Sequence, residues 1–93
     1  MRIGSLHVQF MIFDAQSLKE KRKVMRSVKD RLMNTYNVAV AEVGSNDKWQ
    51  IGEIGIVTVG NETRFVQSVL DKVEDFLETI PAIRVIDLEL EIL

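Results

Sequence analysis

Residues 38–60, VAVAEVGSNDKWQIGEIGIVTVG, read as two strands around a polar turn. Val38 to Val43 is a short β-favouring run. Gly44-Ser45-Asn46-Asp47-Lys48 is a five-residue polar stretch of hairpin type. Trp49 to Val59 resumes the pattern, with Ile54, Ile56 and Thr58 alternating against Gly55, Val57 and Val59. A hairpin lying between two helical stretches leaves few topologies open.

The helical stretches are legible on both sides. Upstream, Ser17-Leu18-Lys19-Glu20 reads as a capping box, with the Ser17 hydroxyl accepting from the Glu20 N–H and the Glu20 side chain reaching back to Ser17. A helix to about Tyr36 follows. Leu18, Val24, Met25, Val28, Leu32 and Tyr36 form its apolar stripe, and Asn37 breaks it. Downstream, Gly60 ends the strand and Asn61 is expected to cap a second helix from about Glu62 to Ile80. Its Phe65, Val66, Val69, Leu70, Val73, Phe76, Leu77 and Ile80 share one broad sector, and Pro81 stops it.

The two ends read as strands. Over residues 2–13, Gly4, Leu6, Val8, Phe10 and Ile12 take the core face, and Ile3, Ser5, His7, Gln9, Met11 and Phe13 take the other. Over 84–93, Ile86, Leu88, Leu90 and Ile92 are expected inward and Asp87, Glu89 and Glu91 outward. The order βαββαβ makes an α+β, ferredoxin-like sandwich: a four-stranded antiparallel sheet with both helices on one face. All 93 residues are expected to form one domain.

Composition narrows the class. Hydrophobic residues are 46% and charged residues 28% of the chain, an ordinary balance for a protein with one core. The absence of cysteine excludes disulfides and thiolate metal sites and suits the cytoplasm, the expected location. The longest purely apolar run, Phe10 to Phe13, is far short of the roughly 20 residues that span a bilayer, and the N-terminus has no secretory pattern. No membrane association and no cofactor are expected.

Ser17-Leu18-Lys19-Glu20-Lys21-Arg22, Asn37-Val38-Ala39-Val40-Ala41-Glu42-Val43, and Trp49-Gln50 followed by Ile54-Gly55 resemble the YlxP-like family of small bacterial proteins, a domain of unknown function. The resemblance runs nearly the whole chain, to Glu91-Ile92-Leu93. It implies a ferredoxin-like fold that often associates through its open sheet face, and genes placed among those of translation and transcription. It supplies no activity, substrate or catalytic residue.

Charge is unevenly shared between the helices. Residues 17–36 carry seven basic and two acidic side chains, +5, in a chain of net charge −2. Residues 61–80 carry −3. At 100° per residue, Lys19, Arg22, Lys23, Arg26 and Lys29 fall in one sector beside the apolar stripe. Such a face attracts phosphate backbones. No aromatic is interleaved with it, so RNA contact there is expected to follow backbone or shape. The plainer alternative is a solvated face held in i, i+3 and i, i+4 pairs such as Glu20–Lys23 and Arg26–Asp30. Lys21 projects into the apolar sector instead. It is expected to snorkel past the sheet edge or to pair with Glu42 or Asp14.

The uncovered sheet face is expected to carry Ile3, Met11, Phe13, Trp49, Ile51, Val57, Ile83 and Val85. So apolar a face predicts a homo-oligomer, a dimer, with Met11, Phe13, Trp49, Ile51 and Val57 in the interface. His7 and Gln9 lie on the same face, near Glu53 and near Asp87 or Glu89, half of an acid–base pair. With no nucleophile and base readable and no second ligand type, an ordinary polar patch or a set of interface hydrogen bonds is the leading reading, and an enzyme using His7 ranks third behind the two binding readings. Gly60-Asn61-Glu62-Thr63 at a helix start is a weak anion-binding signal. Together these features describe a non-catalytic binding module that contacts RNA or the ribosome through its first helix. The alternative is an oligomeric small-molecule or protein-interaction module using the open sheet face.

Overall fold

The computed structural model describes every residue except Asn46. The expected hairpin turn includes that residue, so its detailed turn type lies outside the described residues. The elements run β1 (Arg2–Ile12), α1 (Leu18–Thr35), β2 (Ala39–Gly44), β3 (Ile51–Gly60), α2 (Thr63–Glu78) and β4 (Ile83–Ile92). The four strands form one sheet in the order β2-β3-β1-β4, with every neighbouring pair antiparallel. This is the ferredoxin-like α+β arrangement.

Alternation in β1 sets the two sheet faces. Leu6, Val8, Phe10 and Ile12 are buried beneath the helices. From β3, Ile54, Ile56 and Thr58 join them, and the Thr58 hydroxyl is satisfied by donating to the Asn37 carbonyl at 2.9 Å. From above come Met25, Val28 and Leu32 of α1 and Val66, Leu70, Val73 and Leu77 of α2. Removing these side chains from water is the main stabilising term, about 1.5–3 kcal/mol for each large one. Gly52 lets the layers approach. A Cβ there would stand 2.6 Å from the Phe10 ring and 2.7 Å from the Met25 sulfur.

The start of α1 is capped nearly as expected. The Ser17 hydroxyl accepts from the Glu20 N–H at 3.1 Å, but the Glu20 carboxylate accepts from the Gln16 N–H at 2.6 Å, one residue before the cap. α2 departs further. Its N-cap is Glu62, not Asn61, and no side chain caps it. Phe65 does not join the core stripe but stands 58% exposed. It leans over Gly60, where an added Cβ would lie 2.8 Å from its ring.

β4 corrects the expected phase. Gln9 pairs with Asp87 and Phe10 with Val85, so Ile86 is an extra residue in the ladder. The bulge inverts the alternation on its N-terminal side. Leu88, Leu90 and Ile92 face the helices as expected, but Ile86 is 46% exposed instead of inward. Ile83 is buried and Val85 packs against the core, so neither lies on the open face. The strand obtains its inward residues from two different phases, which a single period of two does not reveal.

Candidate functional site

Two surfaces carry the side chains of interest, one on each side of the sheet. On the helix side, Lys19, Arg22, Lys23, Arg26 and Lys29 are all exposed on α1. The structure brings them together as the spacing predicts. Among the described residues none of the five has a carboxylate within 4.0 Å, and the ion pairs are His7–Glu53 and Arg64–Glu62. The pairs Glu20–Lys23 and Arg26–Asp30 do not form. Glu20 is occupied at the helix cap. Arg31, on the far side of α1, sits over the Phe76 ring at 5.6 Å, and Phe76 meets Tyr36 edge-on at 5.8 Å. That contact belongs to the seam between the helices.

The cationic face does not end on a smooth surface. Arg22, Arg26 and Lys29 line a groove of about 500 Å³ between α1 and the edge strand β2. Met25, Val40 and Ile54 also line it, together with Asp30 and Glu42. Glu42 pairs with Ile54 in the ladder, which turns its side chain to the helix side. Arg22 and Glu42 also border a smaller hollow of about 190 Å³ with Leu18 and Lys21. The projection of α1 alone could not find this groove, because Val40 and Glu42 come from β2 and Ile54 from β3.

Lys21 lies beneath these residues at 2% exposure. It neither snorkels nor pairs with Asp14 or Glu42. Its Nζ donates to the Ser45 carbonyl and, at 2.7 Å, to the Lys48 carbonyl. Burial pulls its pKa below the ordinary lysine value, partly offset by the charges of Glu42, Asp47 and Glu53. The lysine therefore fastens the β2–β3 connection to α1.

On the open side, His7 Nε2 donates to Glu53 Oε2 at 2.8 Å, and the Ser45 hydroxyl donates to Glu53 Oε1 at 2.8 Å. The Ser45 bond, then His7, holds the Glu53 carboxyl below the usual range, with a smaller contribution from Gln9. Glu89 faces His7 across the ladder to β4. The expected proximity of His7 and Glu53 is thus met. The connectivity matters for chemistry. The carboxylate stands between serine and histidine, so the imidazole is not hydrogen-bonded to the hydroxyl it would have to activate. The cluster ties the β2–β3 connection to β1. Among the described residues, no group of His, Asp and Glu side chains is arranged to hold a metal ion. Among the described residues, no helix is long and apolar enough to cross a membrane.

Around that cluster the open face is divided. Met11, Phe13, Val43, Val57 and Val59 are exposed, and Ile3 and Ile51 are half-buried. Trp49 is 51% exposed but precedes β3, in the connection and not on the strand. Toward β4 the face turns acidic through Asp87, Glu89 and Glu91, which pair with Gln9, His7 and Ser5.

A family model described as "Protein of unknown function (DUF503)" matches residues 3–90. The chain belongs to the DUF503 family. It is also similar to the uncharacterized protein YlxP of Bacillus subtilis (strain 168), with 36% identity over 81 residues, 87% of this chain and 88% of that protein. The resemblance read from the SLKEKR helix start and the NVAVAEV strand is therefore upheld. That family description assigns the DUF503 proteins no activity.

Proposed function

We propose that the protein is a non-catalytic binding module that contacts RNA, such as RNA of the translation machinery, through the outer face of α1. The observation that carries this reading is the set of five exposed cations on one helix face, none within ion-pair distance of a carboxylate among the described residues. A merely solvated helix would use the i, i+3 and i, i+4 acids within reach. Here the charge is left available in a chain that is acidic overall. Phosphate neutralisation by such a face releases counterions and makes affinity fall steeply with salt. Fluorescence anisotropy of labelled RNA at rising salt tests it. Binding should weaken with salt and be lost in the Lys19→Glu, Arg22→Glu, Lys23→Glu, Arg26→Glu variant. Salt-independent or absent binding by the parent protein overturns it.

A second reading concerns the open face. Exposed Met11, Phe13, Val43, Val57 and Val59 on one side of a sheet favour coverage by a second copy of the chain. Light scattering at micromolar concentration should give the mass of a dimer, and Val57→Glu the mass of a monomer. A monomeric parent protein sets this reading aside.

A further inference from the structure

We propose that the groove between α1 and β2 is a nucleotide subsite that takes an unpaired, amino-bearing base, guanine best, with Glu42 reading its Watson–Crick edge. This rests on the reading that α1 contacts RNA, and it names which RNA: single-stranded and selected by base.

The groove holds both kinds of partner that a nucleotide needs. Arg22, Arg26 and Lys29 stand along one wall, and Glu42 faces them from β2. The buried Met25, Val40 and Ile54 close it with apolar surface. At about 500 Å³ it lies in the size range of small-ligand sites. The cations suit the phosphate. The apolar floor suits a base face. An arginine guanidinium can lie on the other face of the base, which supplies stacking on a helix without aromatics.

Glu42 decides among occupants. A wholly anionic ligand such as an acidic peptide would meet this carboxylate, and Asp30 beside it, with repulsion. A duplex would present its phosphates, but its Watson–Crick donors are already used. An unpaired guanine offers N1–H and N2–H side by side, matching the two carboxylate oxygens. Uracil offers one N–H between two carbonyls that repel a carboxylate. Glu42 has no lysine or arginine within ion-pair distance among the described residues, so its oxygens are not committed to a cation.

The test uses the full chain and three RNA probes of equal length. They are an all-uridine strand, the same strand with one central guanine, and a hairpin duplex. A polyglutamate peptide serves as a fourth probe. The guanine strand should bind about tenfold more tightly than the all-uridine strand. Glu42→Gln, a change at an exposed position, should abolish that difference while leaving the salt slope intact. Salt-dependent binding with no guanine preference, or with the duplex preferred, overturns the subsite and leaves RNA contact standing. Tighter binding of polyglutamate assigns the groove to a peptide and overturns the subsite too. No salt-dependent binding to any RNA overturns both readings together.

Discussion

Lys21 and Glu53 hold the same residue, Ser45, from opposite faces of the sheet. The lysine ammonium donates to the Ser45 carbonyl from the helix side, and the Glu53 carboxylate accepts from the Ser45 hydroxyl at 2.8 Å on the open side. Ser45 has φ 56, a left-handed conformation that a serine adopts only at a cost. The two charges secure the entry to the β2–β3 connection and tie α1, β1 and β3 to one point.

Removing Lys21 should be costly. In Lys21→Met the apolar stem stays buried, but the Ser45 and Lys48 carbonyls lose their donor. We expect a loss of about 1–3 kcal/mol, read as a lower urea midpoint with an unchanged slope. Because burial holds the folded pKa below the unfolded value, the unfolded chain binds more protons between the two values. Stability from this group therefore rises with pH through that window, and the parent protein should show an alkaline rise that Lys21→Met lacks.

Glu53 has the opposite sign. Its folded pKa is depressed, mainly by the Ser45 hydroxyl and then by His7. Its contribution is present above the unfolded value, about 4.3, and is lost as pH falls through the folded value. Ser45→Ala and Glu53→Gln should each flatten the acid limb of a stability-against-pH curve. An acid limb unchanged in both variants would show that the bonds do not persist in solution.

The β4 bulge predicts a contrast between neighbours of the same type. Ile83→Ala empties a buried site and should cost about 2–4 kcal/mol. Ile86→Ala, at an exposed bulge, should stay within about 0.5 kcal/mol. Equal costs would contradict the register shift between Gln9 and Phe10.

At Gly52 the expected failure is crowding. Gly52→Ala places a methyl 2.6 Å from the Phe10 ring and 2.7 Å from the Met25 sulfur. A cost of about 1–3 kcal/mol should appear in thermal or urea melts. Because Met25 also lines the α1–β2 groove, the variant should also weaken the guanine preference proposed for that groove.

On the cationic face, each cation that contacts a phosphate should contribute separately. Alanine at Arg22 or Arg26 should reduce the salt slope of single-stranded RNA binding by about 0.7. Alanine at Arg31, held over Phe76, should leave that slope unchanged.

Element order, the core face of β1 and the cationic sector of α1 were legible in the residues themselves. Each depends on local periodicity: two for the strand, and 3.6 for the helix. The proximity of His7 to Glu53 followed once two strand phases were aligned. Other features carried no local signal. The bulge at Ile86 is a mismatch between β4 and β1, and a mismatch exists only when both strands are paired. Phe65 matches the apolar sector of α2 but lies on its flank with half-buried Val69 and Phe76, while Val66 in the same turn is fully buried, so periodicity places it inside and packing leaves it out.

By itself, then, the amino-acid order determined the sheet-and-helix architecture and which helix is positive, because backbone period and side-chain charge are properties of short stretches. Only the tertiary structure decided that Lys21 grips the β2–β3 connection, that the open face is apolar on one flank and acidic on the other, and that a groove runs beneath the cations of α1. Each of these joins residues distant in the chain. Their distances and desolvation are set by how the layers pack, which no single stretch encodes.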